Sequence, residues 1–180
     1  MKPASKILCL LIVTLSACTS EPKEVLRGEY FDLAGYLHKE ARQLSSTVRR
    51  AKKTVGIDGS YETKELQITD WEEELAPFID ADINKAAWRG KFREVKDTNK
   101  VSYVSEDTKI PVKELSVSFE NNAINAISIV LKTDNILYSS YDSLRFFPDS
   151  LYEIRRVQKI NMLGQKVYTV RASLKKSKAE

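Results

Sequence analysis

Two periodicities divide the chain. Before residue 80 apolar side chains recur every three or four positions; from about residue 100 they alternate with polar ones. Tyr30, Leu33, Leu37, Ala41, Leu44 and Val48 form one stripe, with Lys39, Glu40, Arg42 and Gln43 away from it, which predicts an amphipathic helix over residues 30–50. Asp58-Gly59 then predicts a tight hairpin with arms 52–57 and 60–68, because both turn positions need positive φ. Thr69 and Glu72 fit a capping box opening a second helix, with Trp71, Leu75, Phe78 and Ile79 on its buried side. Pro77 predicts a kink there, or two short helices, and Gly90 ends the region.

The alternating part reads as strands joined by short turns. KVSYVSE is one strand. Leu115, Val117 and Phe119 alternate with Ser116 and Ser118 in the next, and Asn121-Asn122 turns the chain into 123–131. Further strands are expected at 136–146, 151–160 and 165–172, with turns at 133–135, 148–150 and 161–164. The expected fold class is α+β: a twisted antiparallel β-meander of five or six strands, the N-terminal helix packed on one face, plus a β-hairpin and a short kinked helix. Strong curvature would leave a concave surface beside the first helix.

The N-terminus changes the picture from a plain globular domain to an exported one. Lys2 and Lys6 precede the apolar run Ile7–Leu15, which is too short to span a bilayer, and Ser16 and Ala17 are small. Residues 1–17 are expected to be a signal peptide cut between Ala17 and Cys18. Leu15-Ser16-Ala17-Cys18 resembles a bacterial lipobox. That resemblance implies a lipid on the Cys18 thiol, acylation of the new amino terminus, and a membrane attachment through this residue. Thr19, in place of an aspartate, implies the outer membrane; Ser20-Glu21-Pro22-Lys23-Glu24 only partly matches the acidic patch of surface-exposed lipoproteins. The protein is therefore expected to face the periplasm, with surface display as the alternative. Two or more acyl chains hold a protein stably at a bilayer where one does not. Residues 18–29 read as a flexible tether, 30–174 as a single domain, and 175–180 as a basic tail.

Charge excludes little else. The 29 basic and 25 acidic residues become 27 and 25 once Lys2 and Lys6 leave, a balance of +2. Basic clusters at Arg49-Arg50 with Lys52-Lys53, at Arg155-Arg156 and near Lys175 are interspersed with acids, and nucleic acid is not an expected partner. Cys9 leaves with the signal, so no disulfide forms within the mature chain.

Candidate chemistry is sparse. His38, the sole histidine, lies beside the helical stripe without a neighbouring nucleophile motif. Asp80, Asp82 and Asn84 match the opening of a calcium loop. Lys85 and Lys91 then stand where glycine and a bidentate glutamate belong, so no metal is expected. Glu72-Glu73-Glu74 is explained by the helix start. No cofactor is called for. Among the aromatics, Tyr138 and Tyr141 fall on opposite faces of one strand, and Phe146-Phe147 precede a turn. These four form a possible contact surface, with core packing the competing account.

YFDLAGYL and DWEEELAPFIDADINKAAWR resemble segments of small uncharacterised Bacteroidota lipoproteins, over most of the mature chain. The resemblance implies the outer-membrane lipoprotein reading and brings no activity or site. The expected function is a non-catalytic binding or scaffolding role in an outer-membrane or periplasmic complex with an envelope protein partner. The alternative is a small carrier or sensor of an apolar ligand such as a lipid, held between curved sheet and helix.

Overall fold

The computed structural model describes residues 29–47 and 50–175. The expected signal segment with its cleavage site at Ala17 and Cys18, most of the expected tether, Val48 and the residues beyond Lys175 lie outside them. One antiparallel sheet dominates. Its strands are β1 (Arg50–Ile57), β2 (Ser60–Leu66), β3 (Arg93–Asp97), β4 (Lys100–Val104), β5 (Val112–Glu120), β6 (Ala123–Asp134), β7 (Tyr138–Phe147), β8 (Leu151–Ile160) and β9 (Gly164–Lys175). Their order is β2-β1-β9-β8-β7-β6-β5-β4-β3. The helices are α1 (Leu33–Thr47) and α2 (Trp71–Ile79), followed by a 3₁₀ turn at Ala86–Trp88.

This corrects the expected α+β fold with a meander of five or six strands: the sheet has nine, and the fold is sheet-dominated. Two features account for the difference. The Asp58-Gly59 hairpin is not an appendage, because β1 pairs with β9 from Arg50↔Lys175 to Ile57↔Tyr168. β3 is a strand exposed at every residue, so it has no alternating signature.

Local chemistry sets the turns. Asp58 and Gly59 have φ of 49° and 87°, and Asn121 and Asn122 of 50° and 62°, the left-handed pairs that two-residue hairpins require. α1 opens on Asp32, whose carboxylate accepts from the Gly35 N–H at 2.9 Å. A Cβ at Gly35 would lie 2.2 Å from that carboxylate, so the cap depends on glycine there. α2 is capped by Asp70 rather than Thr69: the carboxylate accepts from Glu73 N–H at 2.9 Å. Asp70 brings a full negative charge to the helix N-terminus. Pro77 sits in the last turn of one continuous helix, so of the two expectations, a kink or two short helices, the second does not occur.

Both helices contribute to one core. Leu33, Leu37, Ala41 and Leu44 from α1 and Trp71, Leu75 and Phe78 from α2 are buried in one cluster with Leu115, Val117, Ile127, Ile129, Leu144, Phe146 and Tyr152 of the sheet. Phe78 meets Phe146 and Tyr152 edge-on, at centroid distances of 6.1 and 6.0 Å. Phe146 therefore belongs to the core and not to a contact surface, because even-numbered positions of β7 face the helices. At the other side Tyr30 packs edge-on to Phe92 and Tyr103. The opposite face is polar: Ser102 and Ser116 hydroxyls meet at 2.8 Å, and Glu153 pairs with Arg145 and Arg171.

Candidate functional site

The helix-covered face is not fully covered. Strand registers arrange its side chains in rows. Phe146, Tyr152, Ala172 and Lys53 form one row; Leu144, Ile154, Val170 and Val55 the next; Asp142, Arg156, Tyr168 and Ile57 a third. Phe146, Tyr152 and Ala172 of the first row are buried against α2. In the second, Leu144 is buried, Ile154 and Val170 are half-buried, and Val55 is 43% exposed. An apolar surface thus emerges from beneath α2 towards the β1 side of the sheet.

Between that surface, α2 and the segment leading into it lies an open cleft of about 530 Å³, with Leu66, Ile68, Pro77, Tyr152, Ile154 and Val170 on its apolar side and Lys53, Gln67, Thr69, Asp70, Glu73 and Glu74 on its polar side. Its polar anchor is Glu74. Lys53 Nζ donates to Glu74 Oε1 at 2.6 Å, and the Tyr152 hydroxyl donates to the same oxygen. The three residues join β1, α2 and β8. Lys53 and Glu74 are 24% and 17% exposed, so both charges face a partly dry environment in which they need each other. This arrangement ties α2 to the sheet at the cleft.

A second polar group closes the third row. Arg156 Nε and Nη2 donate to Asp142 Oδ2 at 2.8 and 2.7 Å, and the Ser140 hydroxyl donates to Oδ1. The hydrogen bond to Asp142 is the main cause that raises the Arg156 pKa. Arg156 remains half exposed, with guanidinium donors beyond the two that Asp142 takes. The face therefore runs from an apolar floor to a polar edge fixed by the Asp142–Arg156 ion pair, and what it can do chemically is hold a molecule with an apolar body and a polar group.

The residues singled out from sequence are dispersed. Tyr138 is half-buried on the helix-side face of β7. Tyr141 is 49% exposed on the opposite face, and Phe147 is half-buried beside Leu151. With Phe146 in the core, the four do not form one surface. Cys18 and Ala17 lie outside the described residues. His38 Nδ1 is 3.2 Å from Glu72 Oε1, a contact between α1 and α2. Asn84 is engaged by the start of the domain: its Oδ1 accepts from Tyr30 N–H and its Nδ2 donates to the Phe31 carbonyl. Lys85 Nζ donates to the Asp80 carbonyl. No group of metal-ligating side chains occurs among the described residues.

Sequence reading did not single out Tyr152 and Asp142, and it took Lys53 and Arg156 as members of basic clusters and Glu74 as one of the acids of a helix start, without the pairings that the structure gives them. A signal was present for two of them. Lys53 interrupts Ala51, Val55 and Ile57 on one face of β1, and Asp142 shares its face with Leu144 and Phe146. A charge at an inward strand position marks a place where the core is opened or paired.

No protein-family model matches the chain, and no curated protein is similar to it. Among solved structures it is similar to the S-type phycobiliprotein lyase CPES from Guillardia theta. The match has 13% identity and a TM-score of 0.28, and covers 81% of this chain and 99% of that one. A likeness at that level transfers neither fold nor activity.

Proposed function

We propose that the protein is a non-catalytic binding protein of the cell envelope, held at the membrane by a lipid on Cys18. Its ligand is an apolar or amphipathic small molecule, such as a lipid, lying in the cleft beside α2. One observation carries this reading: Ile154, Val170 and Val55 continue the core beyond its helical cover, beside a cleft wide enough for a small ligand. Binding pockets of a few hundred Å³ are the usual size for such sites, and a lining with one apolar and one polar side suits an amphipathic molecule. Glu74 is occupied by Lys53 and Tyr152, and Asp142 by Arg156 and Ser140. Both carboxylates thus have a structural role that requires no reaction. A protein-scaffolding role draws on the anchor alone, so the small-molecule reading is preferred.

The test is to purify the lipidated protein from its own membranes and identify bound small molecules by mass spectrometry. A stoichiometric apolar ligand is expected, and Ile154→Asp, which places a charge on the cleft floor, is expected to lose it while keeping the wild-type circular dichroism. A Cys18→Ala form separates ligand from membrane carry-over. Co-purification of a stoichiometric protein with no small molecule would overturn the reading.

A further inference from the structure

Large apolar side chains on protein surfaces usually stand singly. At one end of this sheet four stand together. The β6–β7 turn presents Ile136 and Leu137 at 90% and 73% exposure, and the β8–β9 turn presents Met162 and Leu163 at 102% and 76%. β7 and β8 are neighbours, so the two hairpin tips lie side by side. They are also bonded to each other. The Asn161 N–H donates to the Leu137 carbonyl at 3.1 Å, and Asn161 Nδ2 donates to the Ile136 carbonyl at 2.5 Å.

Part of the backbone around these side chains is satisfied from within. Asn135 Oδ1 accepts from the Leu137 and Tyr138 N–H groups at 2.9 and 3.0 Å. The Leu163 N–H donates to the Ile160 carbonyl at 3.2 Å. In water such peptide groups lose little by facing solvent. In hydrocarbon each unpaired one is costly, and only internally bonded backbone is tolerated. Behind the tips stand Lys132, Lys159 and Lys166, with Asp134 and Asp58 at the same level. Lys166 pairs with Asp58 at 3.1 Å, which leaves two lysines against one aspartate. Apolar tips with a partly self-bonded backbone and a slightly cationic collar match the layering of a bilayer surface, where long lysine stems reach phosphate level.

We propose that the paired turns, residues 135–137 and 161–163, insert into the facing leaflet of a lipid bilayer. Ile136, Leu137, Met162 and Leu163 enter the acyl region and the lysines lie among the headgroups. The contact is separate from any lipid on Cys18, and it sets the orientation of the domain, with β6 to β9 standing on the membrane. It uses none of the residues of the cleft, so it stands or falls independently of the ligand.

The experiment uses full-length protein reconstituted in vesicles of phosphatidylethanolamine with a minority of phosphatidylglycerol. Leu163→Trp places a reporter at the tips, and Glu120→Trp places one at the opposite end of the sheet. Emission is read as the difference from the unsubstituted protein. On vesicles the Leu163→Trp emission is expected to shift to the blue and to lose most of its intensity when the acyl chains are brominated. The Glu120→Trp signal is expected to keep both its position and its intensity. Adding Ile136→Ser and Leu137→Ser, both at exposed positions, is expected to abolish the quenching. Water-like emission from Leu163→Trp on vesicle-bound protein would overturn the proposal. So would a blue shift without vesicles accompanied by a doubled mass in sedimentation, which would place the tips against a second copy of the chain.

Discussion

Lys53 shows what one side chain can do in this molecule. It sits on a strand face shared with Ala51 and Val55, and its ammonium is held by Glu74 of α2. Replacing it with methionine keeps the stem and removes the charge, leaving the Glu74 carboxylate with Tyr152 alone in a partly dry site. Hydrogen bonds to charged groups contribute about 1.5–3 kcal/mol, and Lys53→Met is expected to lose about 2 kcal/mol in urea unfolding. A change within a few tenths would mean that α2 is held by its apolar side alone. Asp58 carries a different, pH-dependent effect. The Val167 N–H chiefly, and then Lys166, hold its carboxyl below the ordinary 3.8. A group with a lowered folded pKa stabilises the fold above its unfolded value. That contribution disappears as pH falls below 3.8 through the folded value. Asp58→Asn keeps the turn geometry and loses the charge. Its deficit in unfolding midpoint should be present at neutral pH and vanish below the carboxylate range; a deficit unchanged in acid would contradict the assignment. Residues of this kind differ in legibility. Asp58 and Gly59 were readable because a turn is local. The Lys53, Glu74 and Tyr152 contact joins positions up to 99 apart in number, and no short pattern encodes it.

At the scale of elements, α1 followed from its stripe: Leu33, Leu37, Ala41 and Leu44 are all buried as the spacing requires. Leu37 is fully buried, and Leu37→Ala is expected to cost about 2–5 kcal/mol by denaturant unfolding, the range for truncating a packed leucine. A cost below 1 kcal/mol would mean that α1 packs loosely on the sheet. The strands were placed to within a few residues, and the errors have identifiable causes. Ile136 and Leu137 were expected inside a strand because they are apolar. The Asn135 carboxamide instead accepts from Leu137 and Tyr138 and bends the chain, so both side chains end on a turn. Asp70 displaced Thr69 as the cap of α2 through its charge. β3 has polar residues on both faces save for Val95, and as an edge strand it needs no apolar side. Strand alternation also splits one basic doublet: Arg155 and Arg156 point to opposite faces, so this pair is not a patch.

For the whole molecule, hydropathy identified a sheet and a helix across it but not how many strands share the sheet. The decisive pairing, β1 with β9, joins Arg50 to Lys175, and side-chain periodicity holds no information about partners so distant. That pairing also widens the helix-side face beyond what α1 and α2 cover, which leaves Ile154, Val170 and Val55 as open apolar surface. The central claim is that this surface binds an apolar ligand, and methyl-selective NMR tests it most directly. Isoleucine and valine methyls would be labelled and the protein titrated with a medium-chain fatty acid below its micelle threshold. Saturable shifts concentrated at Ile154, Val170 and Val55, with the buried methyls of Ile127 and Val117 unchanged and the binding lost in Ile154→Asp, are the predicted result. Shifts that do not saturate, or that fall only on the turns at Ile136 and away from the cleft, would contradict it.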